Sequence, residues 1–344
     1  MPSPAAQLHQ HSFELISIHE ALLQDAPRNR AFYQALSQQV TAGSSVLDIG
    51  SGTGLWAIMA AKLGAARVVA IEKDSLMCGI IRRLAQENGV ADRVTVMEGL
   101  SSAVDLDGET FDIVLSETVG HLIYDEDIVE VMMDARSRFL KPGGILIPQQ
   151  VALFAAPLNL GLSGEAYPHG LEARFDSFQA LSLHRPLAYL DKSPFTWLGQ
   201  KVELTQTDLR TCTGRPDLTQ LTASWTLADT TALDGVAVWA EMQLSDDLTL
   251  STLDTPSWSV TVYRLAPFTA AAGQLDYKLE ILPETNAWTG TLGGQTQRLS
   301  PAIAATQMVM QSSVAISHLP HLLQSAAALQ PSSFTLHPST EGAA

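Results

Sequence analysis

The sequence lacks the features of a membrane or exported protein. Its longest apolar stretches, such as Gly144–Ile147 and Val151–Pro157, are far too short to span a bilayer. Residues 1–12 have neither the basic segment nor the apolar segment of a signal peptide, and we expect a cytoplasmic protein. Only two cysteines are present, Cys78 and Cys212. Neither has a Cys or His partner at metal-binding spacing, so we expect free thiols and no metal site.

Basic residues are also scarce. The 344 residues include 20 Lys and Arg against 36 Asp and Glu, which gives a formal net charge of −16 at neutral pH. A protein with this charge repels nucleic acid and anionic membranes and attracts cationic ligands. We therefore expect no nucleic-acid partner and no membrane partner, because a nucleic-acid enzyme usually carries a basic patch.

The hydrophobic pattern divides the chain into four segments. Residues 1–44 are a predicted N-terminal helical segment, with helical spacing at Phe13–Leu23 and Pro27–Val40 and an expected disordered start at residues 1–12. Residues 45–148 alternate strands and helices, which predicts a doubly wound parallel sheet. Residues 149–322 contain short β-prone runs separated by turn residues, which predict an antiparallel barrel or sandwich. Residues 323–344 are rich in small and polar residues, and we predict a flexible tail.

A glycine-rich turn follows the first predicted strand. Residues 46–54 read Val-Leu-Asp-Ile-Gly-Ser-Gly-Thr-Gly, which puts Gly50, Gly52 and Gly54 directly after the acid Asp48 and one apolar residue. Glycines at this spacing let the backbone approach a ligand closely and make a turn that side chains would block. The turn predicts a ligand site at the carboxyl ends of parallel strands.

The next predicted strand ends in an acid, Glu72. An acid at this position suits hydrogen bonds to the two hydroxyls of a ribose, so the ligand is predicted to contain a nucleoside. The G-x-G-x-G spacing differs from the G-x-G-x-x-G of dinucleotide-binding proteins. The pattern resembles the class I S-adenosylmethionine (AdoMet) methyltransferases. This resemblance implies AdoMet as cofactor, S-adenosylhomocysteine as product and no metal.

Two acids flank the loop after the fourth predicted strand. Residues 116–126 read Ser-Glu-Thr-Val-Gly-His-Leu-Ile-Tyr-Asp-Glu, with Glu117 and Glu126 at either side of a glycine. Cofactor and substrate meet at this edge of a sheet. The loop resembles the double-glutamate loop of the protein arginine methyltransferases, Ser-Glu-x-Met-Gly-x-x-x-x-x-Glu.

Two further segments carry the same resemblance. Residues 18–28, Ile-His-Glu-Ala-Leu-Leu-Gln-Asp-Ala-Pro-Arg, are similar to the family's Ile-His-x-x-Met-Leu-x-Asp-x-x-Arg helix. Leu-Ser-Thr at 250–252 and Pro-Ser-Trp at 256–258 are similar to its Leu-Ser-Thr-x-Pro…Thr-His-Trp segment. The resemblance implies an AdoMet-binding domain followed by an antiparallel β-barrel domain. It also implies a homodimer formed through an arm, for which residues 166–197 are the candidate.

The resemblance also assigns roles to single residues. Glu117 and Glu126 would be catalytic. They would grip the guanidinium, draw its charge to one side and orient one nitrogen for direct displacement of the methyl group. Arg28 would pair with the methionine carboxylate of the cofactor, and Glu72 would hold the ribose. The implied cofactor contacts are Arg28, Asp48, Gly50, Gly52, Gly54, Glu72 and Ser102.

The acceptor side departs from the family pattern. Ser257 replaces the family histidine that pairs with the acid corresponding to Asp25, so we expect Asp25 to have lost its partner. It would then pair with Arg28 on the same helix face, or His121 would replace the missing histidine; we favour the first hypothesis. Val119 replaces a loop methionine. The candidate substrate-side residues are Asp25, Val119, His121, Ser257 and Trp258.

These observations favour an AdoMet-dependent methyltransferase acting on arginine in a protein or peptide. The main alternative is a free arginine or a small guanidino metabolite of a specialised biosynthetic pathway. Less favoured are a methyltransferase for another amine and a non-catalytic AdoMet-binding module, because both glutamates are retained.

Overall fold

The structure is a computed structural model that describes residues 4–120, 122–124, 126–161, 175, 186–282 and 287–292. Two helices come first, α1 (Pro4–Gln24) and α2 (Ala26–Gln39), so the expected disorder of residues 1–12 is wrong from Pro4 onward. Asp25 caps α2, because its side chain accepts a hydrogen bond from the backbone N–H of Arg28, and Pro27 occupies the first turn.

A five-stranded parallel sheet follows, in the order β3-β2-β1-β4-β5. The predicted doubly wound sheet is confirmed. Strands β1, β2 and β4 are almost entirely buried, as expected for parallel strands covered by helices on both faces. Its elements are β1 (Ser45–Ile49), α3 (Leu55–Leu63), β2 (Arg67–Glu72), α4 (Ser75–Glu87), β3 (Val94–Glu98), β4 (Phe111–Ser116), α5 (Ile128–Arg138) and β5 (Leu140–Ile147).

The chain order of the strands reverses between β1 and β4. Loops that leave the carboxyl ends of these two neighbouring strands diverge to opposite faces of the sheet and leave a crevice between them. The glycine-rich turn follows β1 and the double-glutamate loop follows β4, so both predicted motifs meet at this crevice.

The second half of the chain is antiparallel, as predicted. Seven strands form one sheet with a central path β7-β13-β11-β6-β8, where β12 pairs with β11 and β9 with β6. Strands β10, β14 and β15 form a second sheet. The strands are β6 (Gln150–Asn159), β7 (Leu187–Tyr189), β8 (Thr196–Trp197), β9 (Val202–Asp208), β10 (Leu221–Leu227), β11 (Thr231–Ser245), β12 (Leu248–Ser251), β13 (Val260–Ala270), β14 (Gly273–Leu282) and β15 (Ala287–Leu292). A short 3-10 helix covers Leu218–Gln220.

The pairings among the described strands do not close these sheets into a barrel. Most of the candidate arm, residues 166–197, lies outside the described residues, and so does the predicted tail, residues 323–344. Where the arm segment is described, β7 and β8 belong to the seven-stranded sheet. No helix in the described part of the chain is long and apolar enough to cross a membrane.

The two halves share one core. Buried apolar side chains from α2, the parallel sheet, β6 and β11 belong to a single contiguous cluster. Burial of this apolar surface holds the antiparallel half against the edge of the parallel sheet. The loop after β12 thereby comes next to α1, α2 and the crevice.

Candidate active site

A cleft of about 1000 Å³ opens at the carboxyl ends of β1, β2 and β4. Its walls come from the glycine-rich turn, the loop after β4, helix α1 and the loop after β12. The structure brings most of the predicted site residues into this wall: Arg28, Gly50, Gly52, Glu72, Glu117, Val119, Glu126, Ser257 and Trp258.

The glycine-rich turn requires glycine for two different reasons. Gly50, Gly52 and Gly54 have φ values of +69°, +54° and +76°, which side chains rarely adopt. A Cβ atom on Gly50 would lie 2.6 Å from Thr118, and one on Gly52 would lie 2.5 Å from the His19 ring. These two positions let the backbone form the cleft floor.

Gly54 does not line the cleft. A Cβ atom there would lie 2.8 Å from Ile81 of α4, so this glycine permits close packing of α3 against α4. The sequence predicts a cofactor contact at Gly54, whereas in this structure its α-carbon faces α4 and the residue is not part of the cleft wall.

Asp48 and Glu72 hold the turn in place. Asp48 is buried beneath it and accepts a hydrogen bond from the Ala57 N–H at 3.1 Å, and it is not part of the cleft wall. Burial raises the pKa of Asp48 to about 7. Glu72 does line the cleft, and its carboxylate accepts hydrogen bonds from the Gly52 N–H at 2.8 Å and the Asp74 N–H at 2.9 Å.

Ser102 lies outside the cleft. It is exposed, while its neighbours Leu100 and Ser101 form part of the wall. The sequence predicts a cofactor contact at Ser102, whereas the two residues before it in the loop after β3 line the cleft in this structure.

Arg28 lines the cleft but is almost entirely buried. Its guanidinium carbon lies 5.9, 5.7 and 5.5 Å from the ring centroids of Phe32, Trp56 and Trp258. Such contacts stabilise a cation through the ring quadrupole. Arg28 also forms an ion pair with Glu117, and its Nε is buried without a hydrogen-bond partner in the described structure.

The sequence reasoning missed two of these three rings. Phe32 lies four residues after Arg28 on α2, a spacing that puts the two side chains on one helix face. Trp56 stacks on Phe32, with ring centroids 5.1 Å apart, and comes from α3. No local pattern indicates that contact, because it depends on how α2 packs against α3.

Glu117 and Glu126 both reach the cleft. Burial raises the pKa of Glu117, the neighbouring Arg28 opposes that rise, and the nearby Glu126 adds to it. Glu126 is exposed at the cleft edge. The segment from Glu117 to Asp127 contains two non-glycine residues with φ of +60°, Ile123 and Asp127. This conformation costs about 1–2 kcal/mol for each residue, so the surrounding structure must hold the loop.

The chain is similar to known methyltransferases. A methyltransferase-domain family model matches residues 46–144. The Arginine N(omega)-methyltransferase of Streptomyces achromogenes subsp. streptozoticus is 32% identical over 244 residues, which cover 68% of this chain and 66% of that protein. The "Probable protein arginine N-methyltransferase 6" of Arabidopsis thaliana is 31% identical over 164 residues, covering 47% and 37%.

The chain belongs to the protein arginine methyltransferase family. It spans between 37% and 66% of the length of these two relatives.

Solved structures of the family have the same fold. The Trypanosoma brucei PRMT1 enzyme–prozyme heterotetrameric complex with AdoHcy aligns with a TM-score of 0.72 and 20% identity, covering 82% of this chain and 96% of that chain. The crystal structure of PRMT6-SAH aligns with a TM-score of 0.65 and 20% identity, covering 81% and 100%. At this identity the likeness concerns the fold alone.

The site departs from the family at Asp25 in an unexpected way. Asp25 is fully buried, and its Oδ2 accepts hydrogen bonds from both the backbone N–H and the hydroxyl of Ser257. The prediction that Asp25 has lost its partner is wrong, because a serine offers two donors to one carboxylate oxygen. The favoured pair of Asp25 with the Arg28 side chain is also wrong, since that guanidinium binds Glu117. His121 lies outside the described residues.

A lysine that sequence reasoning missed holds the same loop. Lys192 donates hydrogen bonds of 2.7 Å to the carbonyl oxygens of Thr255 and Trp258, on either side of Ser257. Burial lowers the pKa of Lys192. These contacts fix the loop that presents Trp258 to Arg28. Its partners are backbone carbonyls from a distant strand connection, so no sequence motif indicates this role.

Proposed function

We propose that the protein is an AdoMet-dependent N-methyltransferase that transfers a methyl group to the guanidinium of arginine. One observation carries the proposal: Glu117 and Glu126 line the same cleft as the glycine-rich turn and Glu72. The acids that suit a guanidinium and the turn that suits a nucleoside cofactor thus share one enclosed space.

The residues of the cleft fit AdoMet. Gly50 and Gly52 allow Thr118 and His19 to lie against the backbone of the turn, where a Cβ atom would block them, and Arg28 has a buried Nε without a hydrogen-bond partner. Arg28 would hold the methionine carboxylate and Glu72 the ribose hydroxyls. When bound, AdoMet supplies an electrophilic methyl group on a sulfonium.

The acceptor would be held by the two glutamates. Arg28 engages Oε2 of Glu117, so Oε1 is the oxygen that would accept an N–H of the substrate guanidinium. The positive charge of Arg28 also opposes the rise in the pKa of Glu117 that burial causes. Glu126 would grip a second side of the guanidinium, which localises its charge and leaves one nitrogen better able to attack.

The substrate is proposed to be an arginine in a protein or peptide. The plant relative is named a protein arginine methyltransferase. The second candidate is free arginine or a small guanidino compound, because the Streptomyces relative, which matches more of this chain, is named an arginine N(omega)-methyltransferase. A net charge of −16 suits either cationic substrate.

A labelled-methyl assay tests the proposal. Labelled AdoMet is incubated with the protein and with arginine, with an arginine-rich peptide, or with no acceptor. Label in the peptide supports the first candidate, and label in arginine supports the second. Binding of AdoMet without transfer to any guanidine would instead identify a non-catalytic AdoMet-binding module.

We also propose that the protein is a cytoplasmic homodimer. The support is an apolar surface on the N-terminal helices, where Ile16, Ile18, Leu23 and Tyr33 are between 46% and 58% exposed. Exposed apolar side chains of this size mark candidate interaction surfaces, although Ile18 and Leu23 also form part of the cleft wall. Phe175, in the candidate arm, is 49% exposed, while Phe178 and Leu181 lie outside the described residues.

A further inference from the structure

The segment that carries Glu126 is bound by an arginine from the antiparallel half. Arg215 lies in the connection between β9 and the 3-10 helix. Its Nη1 donates a hydrogen bond of 2.9 Å to the carbonyl oxygen of Tyr124, and its Nη2 pairs with the Asp127 carboxylate. Its Nε pairs with Glu130 in the first turn of α5. Arg215 therefore contacts the chain on both sides of Glu126.

This segment needs such support because its backbone is strained. Ile123 and Asp127 both have φ of +60°, a left-handed conformation that persists only where neighbouring groups hold it. Arg215 binds Asp127 directly and binds Tyr124, the residue after Ile123. Arg215 thus binds one of the two strained residues and the neighbour of the other.

The connection that carries Arg215 is itself anchored to α5. Arg136 donates hydrogen bonds to the carbonyl oxygens of Leu209 and Cys212, the second at 2.7 Å. The Tyr124 hydroxyl forms a further hydrogen bond of 3.0 Å with Thr207 at the end of β9. These contacts join the double-glutamate loop and the connection after β9 into one network.

We propose that Arg215 is a positioning residue for Glu126, so that the antiparallel half sets the geometry of the acceptor site. Arg215 is not among the described residues that line the cleft, and it acts through the backbone at Tyr124 and the side chain of Asp127. A planar guanidinium suits this role, since it presents donors in three directions where an ammonium is a single point charge. The inference rests on the proposed function only in assigning Glu126 to the acceptor.

Three variants test the inference: Arg215→Ala, Arg215→Lys and the control Arg210→Ala. Arg210 lies on the same connection, but it is exposed and pairs with Asp208 two residues away. Arg215→Ala is expected to lower kcat for the arginine acceptor by about 10- to 100-fold, because a small displacement of a catalytic group is costly. The Kd for S-adenosylhomocysteine should stay within about twofold. Arg215→Lys should restore part of the rate, and Arg210→Ala should match the wild type.

Hydrogen exchange of peptides covering residues 120–130 separates this inference from the proposed function. Arg215→Ala should speed exchange there by about tenfold or more, and Arg210→Ala should not. This readout needs no turnover, so it holds even where the wild type methylates no guanidine. If Arg215→Ala does not fold, hydrogen exchange of the same peptides is compared in Arg215→Lys, Asp127→Asn and the control. Wild-type exchange in the Arg215 variants, or wild-type kcat, would overturn the inference.

Discussion

Arg28 and Glu117 form the central contact among the individual residues of the cleft. Arg28 is enclosed by three aromatic rings, and burial raises the pKa of Glu117. The opposite charges of the two side chains offset part of the cost of burying each of them. The pair links the proposed cofactor side of the cleft to its acceptor side. A change at either residue should therefore affect both sides, whereas Glu126 should affect the acceptor alone.

The glycine-rich turn gives the first prediction. Gly52→Val should weaken the binding of S-adenosylhomocysteine by about 100-fold or more, because valine would need φ near +54° and its Cβ would meet His19. Isothermal calorimetry measures this. Gly79→Ala is the matched control, since an added Cβ there meets no atom within 4 Å and alanine favours a helix. Unchanged binding by Gly52→Val would exclude this turn as the cofactor cradle.

Asp48 gives a pH prediction. Burial raises its folded-state pKa to about 7 from the ordinary 3.8, so the folded protein holds this proton more tightly than the unfolded chain. The resulting stabilisation is fully present below the unfolded pKa and is lost as the pH rises through the folded pKa. Between about pH 5 and about pH 8 the contribution of Asp48 to the free energy of unfolding should fall by roughly 2–3 kcal/mol.

Urea denaturation of the wild type and Asp48→Asn checks this value. Asparagine keeps an oxygen for the Ala57 N–H and does not titrate. The variant should lose less free energy of unfolding than the wild type over this pH range, by roughly 2–3 kcal/mol. Parallel curves for the two proteins would show that Asp48 does not bind a proton in this range.

Among the secondary-structure elements, α1 has the most direct relation to the cleft. Leu15, Ile18 and Leu22 of this helix form part of the wall, and the His19 ring lies against Gly52. The helix has large exposed apolar side chains, among them Ile16, which is not part of the cleft wall, and Leu23, which is. A helix with so little buried surface opens locally at a low cost in free energy unless a ligand covers it.

Cofactor binding should therefore order α1. Hydrogen exchange of residues 13–24 should slow by about tenfold or more when S-adenosylhomocysteine is added. A ligand that binds the protein only when α1 is folded against the cleft stabilises that folded state. The β10–β14 pair lies away from the cleft and should keep its exchange rates. Equal changes in both segments, or none in α1, would contradict a role for α1 in covering the ligand.

The elements also show what a sequence can and cannot predict. The strands of the parallel sheet are predictable, because β1 and β2 are short apolar runs bounded by turn residues and buried on both faces. Strands β7 and β8 have three and two residues, and only their pairing with β13 and β6 makes them strands. Such short segments carry no periodicity of their own.

For the protein as a whole, the site depends on contacts between its halves. Trp258, Ser257 and Arg215 all come from the antiparallel half and act on residues of the helical or parallel part. The sequence predicts Glu117, Glu126 and Arg28 because each lies in a motif. It does not predict Lys192 or Arg215, since their partners are carbonyl oxygens and acids that only the tertiary fold brings near.

Self-association gives a prediction for the assembled protein. Sedimentation at tens of micromolar, roughly the range of weak dimers, should show a homodimer. Phe175→Asp should shift the population toward monomer, because a charge cannot be buried in an apolar interface without a partner. A wild type that remains monomeric at this concentration would remove the basis for the dimer.

The two glutamates provide the most direct test of the account. Single-turnover transfer to an arginine acceptor is compared in the wild type, Glu126→Gln, Glu117→Gln and the control Glu109→Gln, an acid that pairs with Arg67 at the protein surface. Glu126→Gln should lower the rate by about 100-fold or more while the cofactor Kd stays within about twofold. Glu117→Gln should lower the rate and also change the Kd, because Arg28 loses its charged partner. Near-wild-type transfer by Glu126→Gln would contradict the guanidinium clamp.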